Sequence, residues 1–157
     1  MEDCLKQDFT RRLSQCNKGE LIVILYDIVF AYLDEAKEAH AQNNYEAYKM
    51  AIRKANASIQ ELINSLNFAY AISKQLYQLY VYSKRALAKA MYQNKTDGIT
   101  EVEDVLRRLY HSFQEVAKSD TSGPLMRNTQ KVYAGITYGK NDLNESYSDN
   151  YQRGFLV

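Results

Sequence analysis

The chain has 157 residues with 20 basic and 19 acidic side chains, and its formal net charge is +1. That length suits one compact domain, and such balanced charge excludes the strongly basic surface that holds nucleic acid or an anionic membrane. Cys4 and Cys16 lack the spacing and the neighbouring histidine of a zinc site, so we expect free thiols in a reducing cytosol. The N-terminal sequence also fits a cleavable signal peptide poorly, which predicts a cytoplasmic protein.

Residues 21–33, LIVILYDIVFAYL, follow a predicted N-terminal arm and constrain the chain most. Twelve of these thirteen side chains are apolar, Asp27 being the exception. Such a helix is too apolar for an ordinary surface helix and shorter than the roughly 20 residues that cross a bilayer. We therefore expect other protein, from this chain or from a partner, to cover it. Asp27 is expected to make a structural hydrogen bond rather than to act in catalysis.

Apolar residues recur at intervals of three and four along most of the chain, which predicts four helices of about 20 residues each. The first runs from Gly19 to about Ala41. The expected N-terminal capping residues of the other three are Asn43 with Glu46, Asn67, and Thr100 with Glu103. Short connections between such helices are typical of an antiparallel four-helix bundle, so the predicted fold is all-α.

The third predicted helix carries more apolar surface than one core needs. One stripe, predicted to face the core, comprises Ile72, Leu76, Leu79, Ser83, Ala86 and Ala90. A second stripe, predicted to face outward, comprises Tyr70, Tyr77, Tyr80, Leu87 and Met91. Two interpretations stay open: another part of the chain covers the second stripe, or the stripe forms a groove for a partner helix. The 14 tyrosines and the absence of tryptophan favour half-solvated surfaces that contact other proteins.

The sequence lacks the motifs that signal catalysis, such as a glycine-rich phosphate loop, GxSxG or HExxH. Neither His40 nor His111 belongs to a Glu-x-x-His metal motif. We therefore predict a protein that is not an enzyme and that has no cofactor or metal. Two alternatives of other classes stay open. One is a histidine phosphotransfer bundle, and the other is a structural homo-oligomer, for example a homodimer, that buries the second stripe against its own copy.

Three ordered motifs resemble those of the FliS family of flagellar export chaperones. Residues 21–27, LIVILYD, are similar to the LxxxLYD start of the family's first bundle helix, with Asn17 in the place of a capping serine. Residues 62–66, LINSL, and 76–82, LYQLYVY, are similar to the family's LxxSL and LxxLYxY. The resemblance covers about two thirds of the chain, roughly residues 14–118.

This resemblance implies a cytosolic helical bundle that binds the C-terminal segment of flagellin and prevents its premature polymerisation. The segment is disordered when free, and family members hold it in an extended wrap with short helices in apolar grooves. We therefore expect flagellin to contact the second stripe, and a component of the export apparatus is a further candidate partner. The chain departs from the family pattern at Lys18, Ile28 and Phe113, where a proline, a glycine and a tryptophan are usual.

The C-terminal part of the chain is polar and contains glycine, which predicts an extension beyond the bundle. We expect this extension, or the N-terminal arm around Phe9 and Leu13, to cover the groove until a client binds. The alternative is that the extension completes the core of the bundle. The predicted organisation is an N-terminal arm at 1–16, a client-binding four-helix bundle at 17–120 and a C-terminal extension at 121–157.

Overall fold

The computed structural model describes residues 3–126 of the chain, in which it places five α-helices. They are α1 (Asp3–Gln15), α2 (Lys18–Ala41), α3 (Tyr45–Asn64), α4 (Ala71–Gln93) and α5 (Asp97–Ser119). The predicted all-α fold is confirmed, and the four predicted helices correspond to α2–α5. Most of the predicted C-terminal extension lies outside the described residues. Its role therefore stays a prediction, as do the bounds of the three predicted segments.

Helices α2 to α5 form a bundle in which each helix packs against two others. α2 lies against α3 and α5, and α4 lies against the same two helices. Short connections reverse the chain direction between successive helices, so neighbours run antiparallel. α1 packs chiefly against α2. The first helix therefore lies outside the ring of four, on the surface of α2.

Two buried tyrosines lie at the centre of the bundle. The hydroxyl groups of Tyr26 on α2 and Tyr80 on α4 are 2.7 Å apart and hydrogen-bonded. The Tyr26 ring also lies against Phe30, Tyr110 and Phe113, with centroid distances of 6.4, 6.0 and 5.7 Å. Burial raises the pKa of both phenols, and the neighbouring Tyr80 raises the pKa of Tyr26 further. Because the two hydroxyl groups bond each other, both are buried without losing their hydrogen-bond partners.

The N-terminus of α2 is capped as the motif comparison predicts. The Asn17 side chain accepts a hydrogen bond from the Glu20 amide, and the Glu20 carboxylate accepts one from the Asn17 amide. Asp120, just after α5, adds a second negative group because its carboxylate accepts a hydrogen bond from the Gly19 amide at 3.0 Å. A Cβ atom at Gly19 would lie 3.0 Å from the Ala117 Cα, so the close approach of α5 requires glycine there.

The predicted caps of the other three bundle helices are wrong. The observed N-cap residues are Asn44 for α3, Tyr70 for α4 and Thr96 for α5. Asn43 has a φ of 56°, a left-handed conformation that asparagine tolerates in turns. Asn67 accepts a hydrogen bond from the amide two residues on, and so belongs to the turn before α4. Glu103 lies inside α5, where it is buried and forms ion pairs with Lys37 and Arg107.

Candidate functional site

Helix α4 is rotated about 50° from its predicted orientation, taking roughly 100° per residue, so its buried face combines residues of both predicted stripes. Its buried face includes Tyr80 and Leu87, which are 1% and 0% exposed. Met91 is half-buried against the same core. The expectation that Tyr80 and Leu87 face outward is therefore wrong, because the Tyr80 hydroxyl finds a partner inside the bundle. Tyr70 and Tyr77 are exposed, and their contact with a client stays a prediction.

The side of α4 that faces α5 is tightly packed at one end. There Ala86 and Ala90 lie against Gly98 of α5. A Cβ atom at Gly98 would be 3.2 Å from the Ala86 carbonyl oxygen and 3.2 Å from the Ala90 Cβ. The Tyr82 hydroxyl donates to the Glu101 carboxylate at 3.4 Å on the same side. Small residues thus bring α4 and α5 together near the loop that connects them.

The same side of α4 is exposed at its other end. Leu79 and Ile72 lie seven and fourteen residues before Ala86, and they are 37% and 57% exposed. The facing row of α5 passes through half-buried Leu109 to Val116, which is 60% exposed. Exposure therefore increases along both helices with distance from their connecting loop. We call Ile72, Leu79, Leu109 and Val116 the open seam.

A second apolar surface lies on the α3 side of α4. Phe68, Tyr70 and Tyr77 are 53%, 65% and 43% exposed. The rings of Phe68 and Tyr77 pack edge to face, with centroids 5.9 Å apart. We call these three residues the aromatic patch. Lys84, two turns beyond Tyr77, donates a hydrogen bond to Gln60, which confirms that this side of α4 faces α3.

Helix α2 has a second apolar face, and α1 covers it. Phe9 of α1 and Cys16 pack with Ile24 in a small cluster separate from the bundle core. Partly buried side chains surround this cluster: Leu13, Leu21, Ile28 and Ala31. The Arg12 guanidinium forms an ion pair with the Asp27 carboxylate at 2.6 Å. The structural hydrogen bond predicted for Asp27 is therefore confirmed, and its donor comes from α1.

Two open clefts border α1. The first is lined by residues of α1, α2 and α5 that include Gln15 and Gln114. The second is lined by Leu5, Ala31 and Tyr110, together with several acidic side chains of α2. α1 therefore covers part of the apolar face of α2 without sealing its edges from solvent.

An ion-pair network joins α2 to α5. Glu103 accepts hydrogen bonds from Lys37 and Arg107, and Lys37 also pairs with Asp34. Burial alone would raise the pKa of Glu103, but the hydrogen bonds from its two cationic partners lower it below the ordinary value. This carboxylate is thus ionised at neutral pH and fixes the two helices to each other.

Among residues 3–126, the His, Cys, Asp and Glu side chains form no group of three or more that could hold a metal ion. A ring nitrogen of His40 lies 3.0 Å from the Asn94 carbonyl oxygen, whereas His111 is exposed. None of the helices described has the length and hydropathy of a membrane span.

These features define an all-α bundle with apolar surface exposed along α4 and a second apolar face under α1. The family model "Flagellar protein FliS" matches residues 1–120, and the chain belongs to this family. The motif resemblance is thereby confirmed. The chain is 28% identical over 104 residues to the flagellar secretion chaperone FliS of Campylobacter jejuni subsp. jejuni serotype O:6, covering 65% of this chain and 81% of that protein. It is also 28% identical over 102 residues to the flagellar secretion chaperone FliS of Bacillus subtilis (strain 168), covering 65% and 77%.

Proposed function

We propose that this protein is a flagellar secretion chaperone that binds the C-terminal segment of flagellin in the cytosol and prevents its polymerisation before export. Membership of the FliS family supports this class, since both relatives carry the name flagellar secretion chaperone. The observation that carries the proposal is the apolar surface left exposed on the N-terminal half of α4. Large apolar patches on soluble proteins commonly mark the sites where they bind other proteins.

The open seam and the aromatic patch provide different kinds of contact. The seam presents aliphatic side chains at helical spacing between two helices, which suits the apolar face of an amphipathic helix. The aromatic patch presents large apolar faces with polar hydroxyl groups, which suits a half-solvated stretch of chain. A segment that wraps around α4 contacts both surfaces. Such a long apolar path offsets the conformational entropy that a disordered client loses on binding.

Helix α1 occupies a further binding surface in the free protein. Its removal would expose Leu21, Ile24 and Ile28 on α2, a row at helical spacing. A small apolar cluster and the ion pair between Arg12 and Asp27 hold α1 in place. The client therefore displaces α1 and takes over these apolar contacts. The N-terminal arm therefore covers α2, and not the groove of α4 for which a cover was predicted. The other predicted cover, the C-terminal extension, lies mostly outside the described residues.

Titration calorimetry with the C-terminal segment of flagellin from the same organism tests this proposal. We expect saturable binding to the full chain. Leu79→Glu places a charge in the open seam and is expected to weaken binding by about tenfold or more, the effect of losing a central interface contact. Tyr45→Glu is the control because Tyr45 is 46% exposed and lies at the start of α3, near the loop between α4 and α5 and remote from both surfaces.

The two variants must both keep the helical content and melting temperature of the parent protein. Absence of binding to the parent protein would overturn the chaperone assignment. Equal loss of affinity in both variants would place the client elsewhere on the bundle.

A further inference from the structure

The balanced net charge of the chain conceals an uneven distribution between helices. α3 and α4 together contain seven basic and two acidic residues. α2 and α5 together contain five basic and ten acidic residues. Because α4 packs against α3, and α2 packs against α5, the bundle has a basic side and an acidic side.

No basic side chain of α4 forms an ion pair within residues 3–126, whereas each of the other four helices has at least one that does. Arg12, Lys37, Lys49, Arg107 and Lys118, which lie on the other four helices, each form an ion pair with a carboxylate. α4 contains no acidic residue, so its cations have no partner within their own helix.

Three cations of α4, Lys74, Arg85 and Lys89, are exposed and form no ion pair with a carboxylate of residues 3–126. Arg85 and Lys89 are four residues apart, a spacing at which like charges are mildly unfavourable. These three charges are therefore not stabilised by ion pairs within residues 3–126.

The cations also lie beside the apolar surfaces of the same helix. Taking roughly 100° per residue, Lys74, Arg85 and Lys89 fall on the outer face of α4, between the open seam and the aromatic patch. Lys74 is level with the open seam, whereas Arg85 and Lys89 are level with the packed end at Ala86 and Ala90. A client segment in the seam reaches the last two cations where it continues along the outer face of α4. A row of apolar side chains beside a row of unpaired cations complements a helix with apolar and acidic rows in the same order.

We propose that α4 selects an acidic amphipathic segment of the client, whose apolar side chains enter the open seam and whose carboxylates pair with Lys74, Arg85 and Lys89. This inference rests on the proposed function and adds the charge of the client segment to it. An anionic membrane is a poorer fit, since the acidic side of the same small bundle would be repelled by it. The acidic α2 and α5 surface of a second copy is the remaining source of carboxylates, and the experiment separates it from a client segment.

The experiment compares two double variants with the same change in charge. Lys74→Glu with Arg85→Glu reverses two cations of α4, and Arg53→Glu with Lys95→Glu reverses two exposed cations on α3 and in the connection between α4 and α5. Each is titrated with the same-organism flagellin C-terminal segment at about 50 and about 500 mM salt, since salt screens exposed charges. We expect the α4 variant to bind about tenfold more weakly at low salt, with most of the difference gone at high salt. The control variant should stay within about twofold of the parent protein.

Two synthetic helical peptides test the charge preference without flagellin. They share the same leucine and isoleucine positions, and one carries glutamate where the other carries lysine. We expect the parent protein to bind the glutamate peptide more tightly, and the α4 double variant to reverse that order. Circular dichroism of each variant at both salt concentrations verifies that the fold is retained.

The outcomes separate this inference from the proposed function. Flagellin binding that neither salt nor the α4 charges affect, together with equal binding of the two peptides, would overturn the inference and leave the chaperone proposal standing. Absence of flagellin binding alongside a clear glutamate preference would support the inference about α4 and overturn the choice of client. Binding of phosphatidylglycerol vesicles, or a doubled mass in solution, that depends on Lys74 and Arg85 would assign the cations to a membrane or to self-association, and would contradict the inference.

Discussion

Helices α2 and α4 both carry more apolar side chains than one face of a bundle buries. The additional side chains are covered on α2 and exposed on α4. On α2 the extra face is covered by α1, with Phe9 and Ile24 buried between the helices. On α4 the extra apolar side chains stay exposed, with Ile72 and Leu79 on one side and Tyr77 on the other. The difference shows that surplus apolar surface in this chain has two states, covered by its own N-terminus or left open. A client that binds both regions needs to displace a cover from α2 only.

The largest expected effect is a difference in the free energy of unfolding between substitutions on the buried face of α4 and on its exposed faces. Tyr80→Glu puts a carboxylate beside the buried Tyr26 hydroxyl, and we expect a loss of about 4 kcal/mol or more in the free energy of unfolding. Tyr77→Glu, on the aromatic patch, should change that free energy by less than about 0.5 kcal/mol. Urea denaturation followed by circular dichroism measures both. Equal stability of the two variants would contradict the assigned orientation of α4.

The next effect concerns the cover on α2. Phe9→Asp removes a buried aromatic ring from the α1 cluster, and we expect a loss of about 2 kcal/mol in the stability of that contact. Hydrogen exchange should then accelerate in α1 while the amides around Tyr48 and Ile52, which are fully buried in the bundle, keep their protection. Unfolding of the whole bundle in this variant would show that α1 is part of the core instead of a cover.

The same substitution also bears on client binding. Since flagellin displaces α1 in the proposed mechanism, Phe9→Asp should bind the flagellin segment with equal or higher affinity than the parent protein. A marked loss of affinity in calorimetry, with the fold retained, would mean that α1 contributes contacts to the client instead of competing with it.

A smaller effect is expected from the ion pairs of Glu103, which join α2 to α5. Helix α4 forms no such ion pair within the described residues. The pKa of Glu103 is lowered from 4.5 in the folded protein, so its contribution to stability is present above about pH 4.5 and is lost as the pH falls through the folded value. Glu103→Gln should therefore cost about 1 kcal/mol at pH 7 and reduce the loss of stability on acidification. Thermal melts between pH 3 and pH 7 measure this dependence. Identical acid profiles for the variant and the parent protein would contradict the role given to this carboxylate.

The four bundle helices could be predicted from the spacing of apolar residues, but only the period of α3 selects one buried face. Apolar side chains lie on nearly every side of α2, and the apolar row of α5 includes the exposed Val116. The all-apolar run of α2 also predicts a cover correctly. The sequence alone does not show that this cover is a helix, because α1 is largely polar. Its large apolar side chains are Leu5, Phe9 and Leu13, at intervals of four. That interval was the available signal for the fifth helix.

The orientation of α4 could not be predicted from its own sequence. Two apolar faces lie about 90° apart on this helix, and local periodicity ranks them equally. The choice depends on a contact between distant residues, the hydrogen bond between Tyr26 and Tyr80. For the same reason the candidate site could be predicted only in part. Tyr70 and Tyr77 lie at the surface as expected, whereas Ile72 and Leu79 of the open seam belong to the stripe predicted to face the core. Similarly, the position of each N-cap depends on which of several nearby polar residues the turn selects.

The most direct measurement is the NMR response of the tyrosine rings, labelled with carbon-13, when the flagellin segment is added. Tyr77 on the aromatic patch and Tyr82 beside the open seam are 43% and 49% exposed, and we predict that their ring signals shift and saturate with the client. Tyr45, which is 46% exposed at the start of α3, should keep its position. Shifts at Tyr45 with none at Tyr77 and Tyr82 would contradict binding on the N-terminal half of α4.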